Sequence, residues 1–171
     1  MVMRLDRINR LRADSRVQLY NRILDLVLVE WDSQKGGLGE SLNTHLKTAG
    51  VDARALIDCL AEAAYHLLDE GGGDIHEFEL LKRFSAIHPD SSLDWAKKTL
   101  EYLRTSAQLV IERLPEKYNF AHRTYAEFLG SKCLMKKPEF VDDAFRHAFR
   151  GDSEFQMVTY AVEALSSTEG F

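Results

Sequence analysis

The chain has 171 residues, 45% of them hydrophobic and 29% charged, which suits a globular protein with a buried core in one compact domain or two small subdomains. Its 22 Lys and Arg against 27 Asp and Glu leave a net charge of −5, so no overall field draws it to nucleic acid or to an anionic membrane. No apolar run is long enough to span a bilayer, and Met1-Val2-Met3-Arg4-Leu5-Asp6-Arg7 lacks the apolar stretch and small-residue cleavage site of a signal peptide, which makes the cytoplasm the expected location.

Val2, Leu5, Ile8 and Leu11 recur at near-helical spacing with arginines between them. A periodic segment that starts without a capping residue reads as the end of a longer helix, and so as a chain truncated at its left end. Ser15-x-x-Gln18 then makes a capping box, whose hydroxyl and amide satisfy free backbone donors, and opens a helix to about Trp31. Its second half, Ile23–Val29, is apolar nearly all round and is expected to lie buried between other elements. Gly36, Gly37 and Gly39 end that unit. Asp52 caps the next helix, whose inner stripe is Leu56, Ile57, Leu60, Ala64, Leu67 and Leu68, and Gly71-Gly72-Gly73 stops it. Asp74-x-x-Glu77 resembles another box, opening a short helix through Phe78, Leu81 and Phe84. Pro89 breaks the chain, and Ser91 or Ser92 caps a helix carrying Leu93, Ala96, Leu100 and Leu103. After Ser106 the period changes: Gln108–Glu112 and Lys117–Asn119-Phe120 read as two strands joined through Leu114-Pro115-Glu116. Helices follow near Arg123–Met135, Glu139–Arg150 and Glu154–Leu165. Helix, short helix, helix, hairpin, helix is the order of a winged helix-turn-helix. The expected fold is therefore mainly α: a helical segment, a winged-helix-like domain with one β-hairpin, then further helices. A purely helical bundle is the alternative, and the β-branched pair Val110-Ile111 before a proline-containing turn argues against it.

Candidate chemistry is sparse. Gly36-Gly37-Leu38-Gly39-Glu40-Ser41 and Gly71-Gly72-Gly73-Asp74 lack the lysine and hydroxyl that a P-loop needs to reach phosphates and magnesium, and neither follows a predicted strand. Among six histidines, His66 with Glu70 and Asp143 with His147 are i,i+4 pairs, but two ligands do not make a zinc site, and exposed polar pairs are the expected reading. His76-Glu77 lacks the second histidine of a His-Glu-x-x-His motif, and no serine or cysteine sits in a nucleophile elbow. Cys59 and Cys133 stand far apart among apolar residues, as buried reduced thiols do. A winged helix raises DNA binding as a rival function, with the helix near Leu93–Thr105 in the major groove. Its Lys97, Lys98 and Arg104 are offset by Asp94 and Glu101, and on the hairpin Arg113 and Lys117 are offset by Glu112 and Glu116. A phosphate-binding surface needs several unopposed cations, so no specific nucleic-acid partner is expected.

One run remains, Tyr118-Asn119-Phe120-Ala121-His122-Arg123-Thr124-Tyr125-Ala126-Glu127-Phe128-Leu129. Phe120, Phe128 and Leu129 read as core. His122 stands at a strand-to-helix junction, where free backbone donors are exposed and an imidazole can meet an anion. Spacing alone favours a structural histidine there. The run resembles the Phe-x-His-x-Thr-aromatic-x-Glu-aromatic-Leu signature in the winged-helix domain of NACHT-type signalling NTPases. Ser15-Arg16-Val17-Gln18-Leu19-Tyr20 with the helix ending at Trp31-Asp32 is similar to the segment closing that family's first helical domain, and the Leu56–Leu68 helix resembles its first winged-helix helix.

The resemblance implies residues 1–50 as the end of the first helical domain, 51–135 as the winged-helix domain and 136–171 as the start of the second helical domain. It implies that His122 approaches the β-phosphate of ADP in a closed, inactive form, which ATP opens so that protomers assemble in defence or stress signalling. ADP or ATP is then a ligand only together with a nucleotide-binding domain that would be this chain's partner, and the chain by itself is expected to bind no cofactor and turn over no ATP. Arg123 and Thr124 match the bacterial form of the motif; Ala126 departs from it where glutamine commonly stands. No Walker A, Walker B aspartates or sensor arginine occur in the sequence, which reads as a fragment or split gene product of the switch. A winged-helix transcription regulator and a ligand-free helical interaction module are the alternatives.

Overall fold

The computed structural model describes residues 16–30, 41–150 and 152–168. The expected helix over Val2–Leu11, the Ser15 cap and the Gly36–Gly39 connection lie outside them. The described chain is mainly helical with a small three-stranded antiparallel sheet. Helix α1, Arg16–Asp25, continues as a π turn over Leu26–Glu30, and Leu24 and Leu28 of the apolar run are buried while Ile23, Leu26 and Val27 are half-buried. Helix α2, Leu42–Thr48, follows, capped by Ser41 Oγ, which accepts from Thr44 N at 3.0 Å.

Asp52 caps α3, Ala53–Asp69, as expected, its carboxylate accepting from Arg54 N at 2.9 Å. The expected inner stripe is buried, Ile57 only in part. Gly71 and Gly72, at φ of 85° and 90°, return their N–H groups to Leu68 and Leu67 carbonyls and so terminate the helix where left-handed backbone is needed. The next stretch differs from the expected box. Ile75-His76 forms a short strand, β1, and the His76 imidazole rather than Asp74 caps α4, Glu77–Ile87, its Nδ1 accepting from Phe78 N at 3.2 Å. Two residues are too few to show a period, which is why the sequence does not announce β1. On α4 the inner face is Leu80, Leu81 and Phe84, and Phe78 is 65% exposed. Ser92 caps α5, Leu93–Thr105, accepting from Trp95 N at 3.2 Å; Trp95 is buried and Leu93 faces outward.

The period change after Ser106 is the hairpin: β2, Val110–Leu114, pairs with β3, Lys117–Phe120, across a turn at Pro115-Glu116, with a bulge between Glu112 and Leu114. Leu114 belongs to the strand rather than the turn. β1 joins the other side of β3 through Ile75↔Tyr118, giving the order β1-β3-β2. Three helices complete the chain: α6 over Arg123–Leu134, α7 over Phe140–Arg150 and α8 over Asp152–Thr168.

The core lies where α3, α6 and α8 meet, and Leu60, Ala64, Phe128, Leu129, Met157 and Ala161 are almost wholly removed from water there. Gly130 on α6 marks the close approach. A Cβ built on it would stand 2.9 Å from Met157 Sδ and 3.1 Å from Leu68 Cδ1. Gly130→Val is therefore expected to destabilise the fold by about 1–3 kcal/mol through overpacking. Urea unfolding checks this, and an unchanged midpoint would mean that α3 and α8 can separate at no cost.

Candidate functional site

The Phe120–Leu129 run spans the end of β3 and the first turns of α6, and its residues divide sharply by burial. Phe120, Ala126, Phe128 and Leu129 are in the core. Tyr20 from α1 stacks on Phe128 with centroids 5.2 Å apart and meets Tyr125 edge-on at 6.2 Å, so α1 helps fix the face of α6 that carries the run. His122 is the N-cap residue of α6, with extended backbone (φ −132°, ψ 135°), an exposed side chain and no side-chain cap hydrogen bond. Its carbonyl accepts from Tyr125 N at 3.0 Å, and its ring lies edge-on to Tyr125 at 5.5 Å. The imidazole is thus exposed at the N-terminus of a helix, where backbone donors are free, with Tyr125 as its ring neighbour.

Glu127, one turn further, is the buried charge of the run. Its side chain is 6% exposed and meets Arg123, itself 60% exposed, at 3.0 Å. Burial pushes the Glu127 carboxyl up, and the hydrogen bond and charge of Arg123 only partly oppose it. The motif's glutamate is therefore a packed group that anchors Arg123 over the start of α6.

Beside this junction runs an open groove of about 360 Å³. It is lined by Gly71–Gly73, by Ile111 and Arg113 of β2, and by Asn119, Ala121 and Arg123. His122 is not among its lining residues. Arg113 lies 3.8 Å from Asp74, and Asn119 Nδ2 donates to the Gly73 carbonyl and, at 3.3 Å, to Asp74, tying the glycine turn to the hairpin. Gly71 and Gly72 stop the helix, and with Gly73 they line the groove.

Among the described residues no group of three or more His, Cys, Asp and Glu side chains could hold a metal ion. His66 and Glu70 are exposed, as expected of an i,i+4 pair. Asp143 and His147 depart from that expectation: His147 is fully buried and both side chains reach the Tyr65 hydroxyl. Cys59 is buried and its thiol is pushed up to about 12 by burial, while Cys133 is half-buried; both are free thiols. On α5, Arg104 is engaged by Glu112 at 3.0 Å. Sequence reading also missed buried His45. Thr99 gives its hydroxyl hydrogen to the Trp95 carbonyl at 2.9 Å, so His45 Nε2 donates to Thr99 Oγ1 at 3.0 Å. Leu42, His45 and Leu46 at helical spacing after Ser41 were the available signal.

Glu127→Gln tests the burial of the motif. An acid whose folded pKa is raised binds its proton more tightly in the folded state, so its ionisation opposes folding as pH rises above the ordinary carboxylate value. The variant is expected to melt above wild type at neutral pH, with the gap closing as pH falls toward about 4.5. Melting temperatures across that range check it, and a gap independent of pH would count against it. No family model, curated protein or solved structure matches the chain.

Proposed function

We propose that this chain is the regulatory helical and winged-helix portion of a NACHT-type nucleotide-dependent switch. Residues 1–50 would close its first helical domain, 51–135 form its winged-helix domain and 136–171 begin its second helical domain. The observation that carries the reading is the position of His122. Within a run whose Phe120, Ala126, Glu127, Phe128 and Leu129 are buried, the histidine caps a helix with its side chain exposed and unused as a cap. The order from α3 to β3, with β1 against the hairpin in a β1-β3-β2 sheet, supports a winged helix. In this reading a nucleotide-binding domain outside the chain carries ADP, and His122 donates to the β-phosphate in the closed form. Exchange to ATP removes that contact and frees the protomers to assemble; the two states are biased by the difference in contacts each nucleotide makes. The chain itself contributes a contact and performs no hydrolysis.

The test joins this chain to the nucleotide-binding domain of such a switch and follows ADP release. A hydrogen bond to a charged acceptor contributes roughly 1.5–3 kcal/mol. His122→Leu should therefore speed ADP release by about ten- to a hundredfold and shift the protein toward the assembled form. Equal release rates from folded wild type and variant would withdraw His122 as a phosphate contact.

The same element order fits a winged-helix DNA-binding protein, with α5 as the groove helix. Arg104 and Arg113 are engaged by Glu112 and Asp74, and Asp94 and Glu101 share the exposed side of α5 with Lys97 and Lys98. Titration with duplex DNA at moderate salt is expected to show weak, unselective binding only. Sub-micromolar, sequence-selective binding would put the DNA reading first.

A further inference from the structure

Helix α7 docks with its polar side inward. Tyr65 on α3 is 1% exposed, and its hydroxyl is the hub of the contact. It donates to Asp143 Oδ2 at 3.1 Å and accepts from Arg146 Nη2 at 3.1 Å. A phenol has one hydrogen, already given to Asp143, so His147 Nε2, also 3.1 Å away, is the donor in the remaining contact. Arg146 donates to Asp69 on α3 and, at 2.9 Å, to Asp143 Oδ1. Lys137, just before α7, lies 3.9 Å from Asp143 Oδ2 and 4.2 Å from the Tyr65 ring centroid. Burial pushes the Asp143 carboxyl up, but hydrogen bonds from Arg146 and Tyr65 and the charges of Arg146 and Lys137 outweigh it and hold it below the usual carboxylate range.

The outward side of the helix carries large apolar groups instead. Val141 is 60% and Phe145 61% exposed, while Phe140 in the first turn packs partly on the core. A surface helix held by hydrophobic burial shows the reverse arrangement. Separating α7 from α3 therefore gives up the hydrogen bonds and ion pairs of Tyr65 and Asp69, which water replaces, while Phe140 and the side facing α8 keep their own packing. Arg146 and Asp69 are also 39% and 28% exposed at the side chain, within reach of dissolved salt.

We infer that α7 is a strap, clasped to α3 through Tyr65, Asp69, Asp143, Arg146 and His147, whose clasp opens while α3, α6 and α8 stay packed on one another. Such a release is a local opening of low cost, distinct from global unfolding. It is independent of the nucleotide-switch reading.

Amide hydrogen exchange on the full chain tests it. In wild type the amides of 144–148 should exchange faster than those of 60–66, and added NaCl should speed the first group only. Tyr65→Phe keeps the core ring and removes the hub, and should accelerate 144–148 about tenfold while leaving 60–66 and 128–131 unchanged. Asp69→Asn should do the same should Tyr65→Phe perturb folding. Val141→Ser, on the outward side, should leave α7 exchange within about twofold. Equal acceleration of α3 and α7, no acceleration of α7 in either clasp variant, or a large effect of Val141→Ser would each overturn the strap.

Discussion

The close contact of α3 with α6 is the constraint from which the rest of the described structure follows. Gly130 lets α6 approach until Leu68 and Met157 fill the space a side chain would need. That contact fixes the axis of α6, and β3 feeds directly into α6 through Ala121 and His122. The sheet is set by the same line, because β3 lies between β1 and β2 and pairs with both. Tyr118, buried on β3, donates to Glu77 at 3.1 Å, and Glu77 N donates to the Glu116 carbonyl at 2.8 Å, so the start of α4 is tied to the hairpin as well. A shift of α6 along α3 would move all of these together.

Because α6 is fixed this way, its first residue is presented by rigid elements on both sides. A contact group gains most when its own backbone is already ordered, since less freedom is lost when a ligand arrives. His122 has that property: Phe120 anchors the chain before it and Tyr125 to Leu129 anchor it after. Glu127 contributes differently. Its carboxylate sits in an apolar setting that opposes ionisation, and Arg123 is drawn across the first turn to offset it. One turn of helix thus carries an exposed imidazole, an exposed guanidinium and the buried acid that positions the latter.

Much of the element pattern was legible because burial imposes a period. The α3 stripe, the glycine stop, the Asp52 and Ser92 caps and the hairpin all follow from local rules of spacing and backbone donors. The misreadings fall where the deciding partner is distant in sequence. Ile75-His76 is a strand only because Tyr118 and Lys117 lie beside it. Phe78 has the hydrophobicity of a core residue, yet the cap at His76 sets the rotation of α4 so that Leu80, Leu81 and Phe84 face inward. His122 could be placed at its junction from the sequence, whereas the burial of Glu127 depends on how α6 packs. Asp143 and His147 read as a surface pair because nothing local shows that Tyr65, 78 residues earlier than Asp143, waits for both.

The core helices and α7 are held by different physics. The α3, α6 and α8 contacts are apolar and weaken only when the whole core opens. The contact of α7 with Tyr65 and Asp69 of α3 is polar, so water, salt or a competing charged partner can replace it piece by piece. A protein that must change state needs an element whose release costs less than global unfolding. The clasp of α7 on Tyr65 and Asp69 is a set of contacts of this polar kind, and it does not include Phe120, Tyr125 or Phe128 beside His122. Tyr65 joins the two, its ring buried in the α3 core and its hydroxyl turned to the clasp, so the polar contacts of α7 rest on a residue that the apolar packing already fixes.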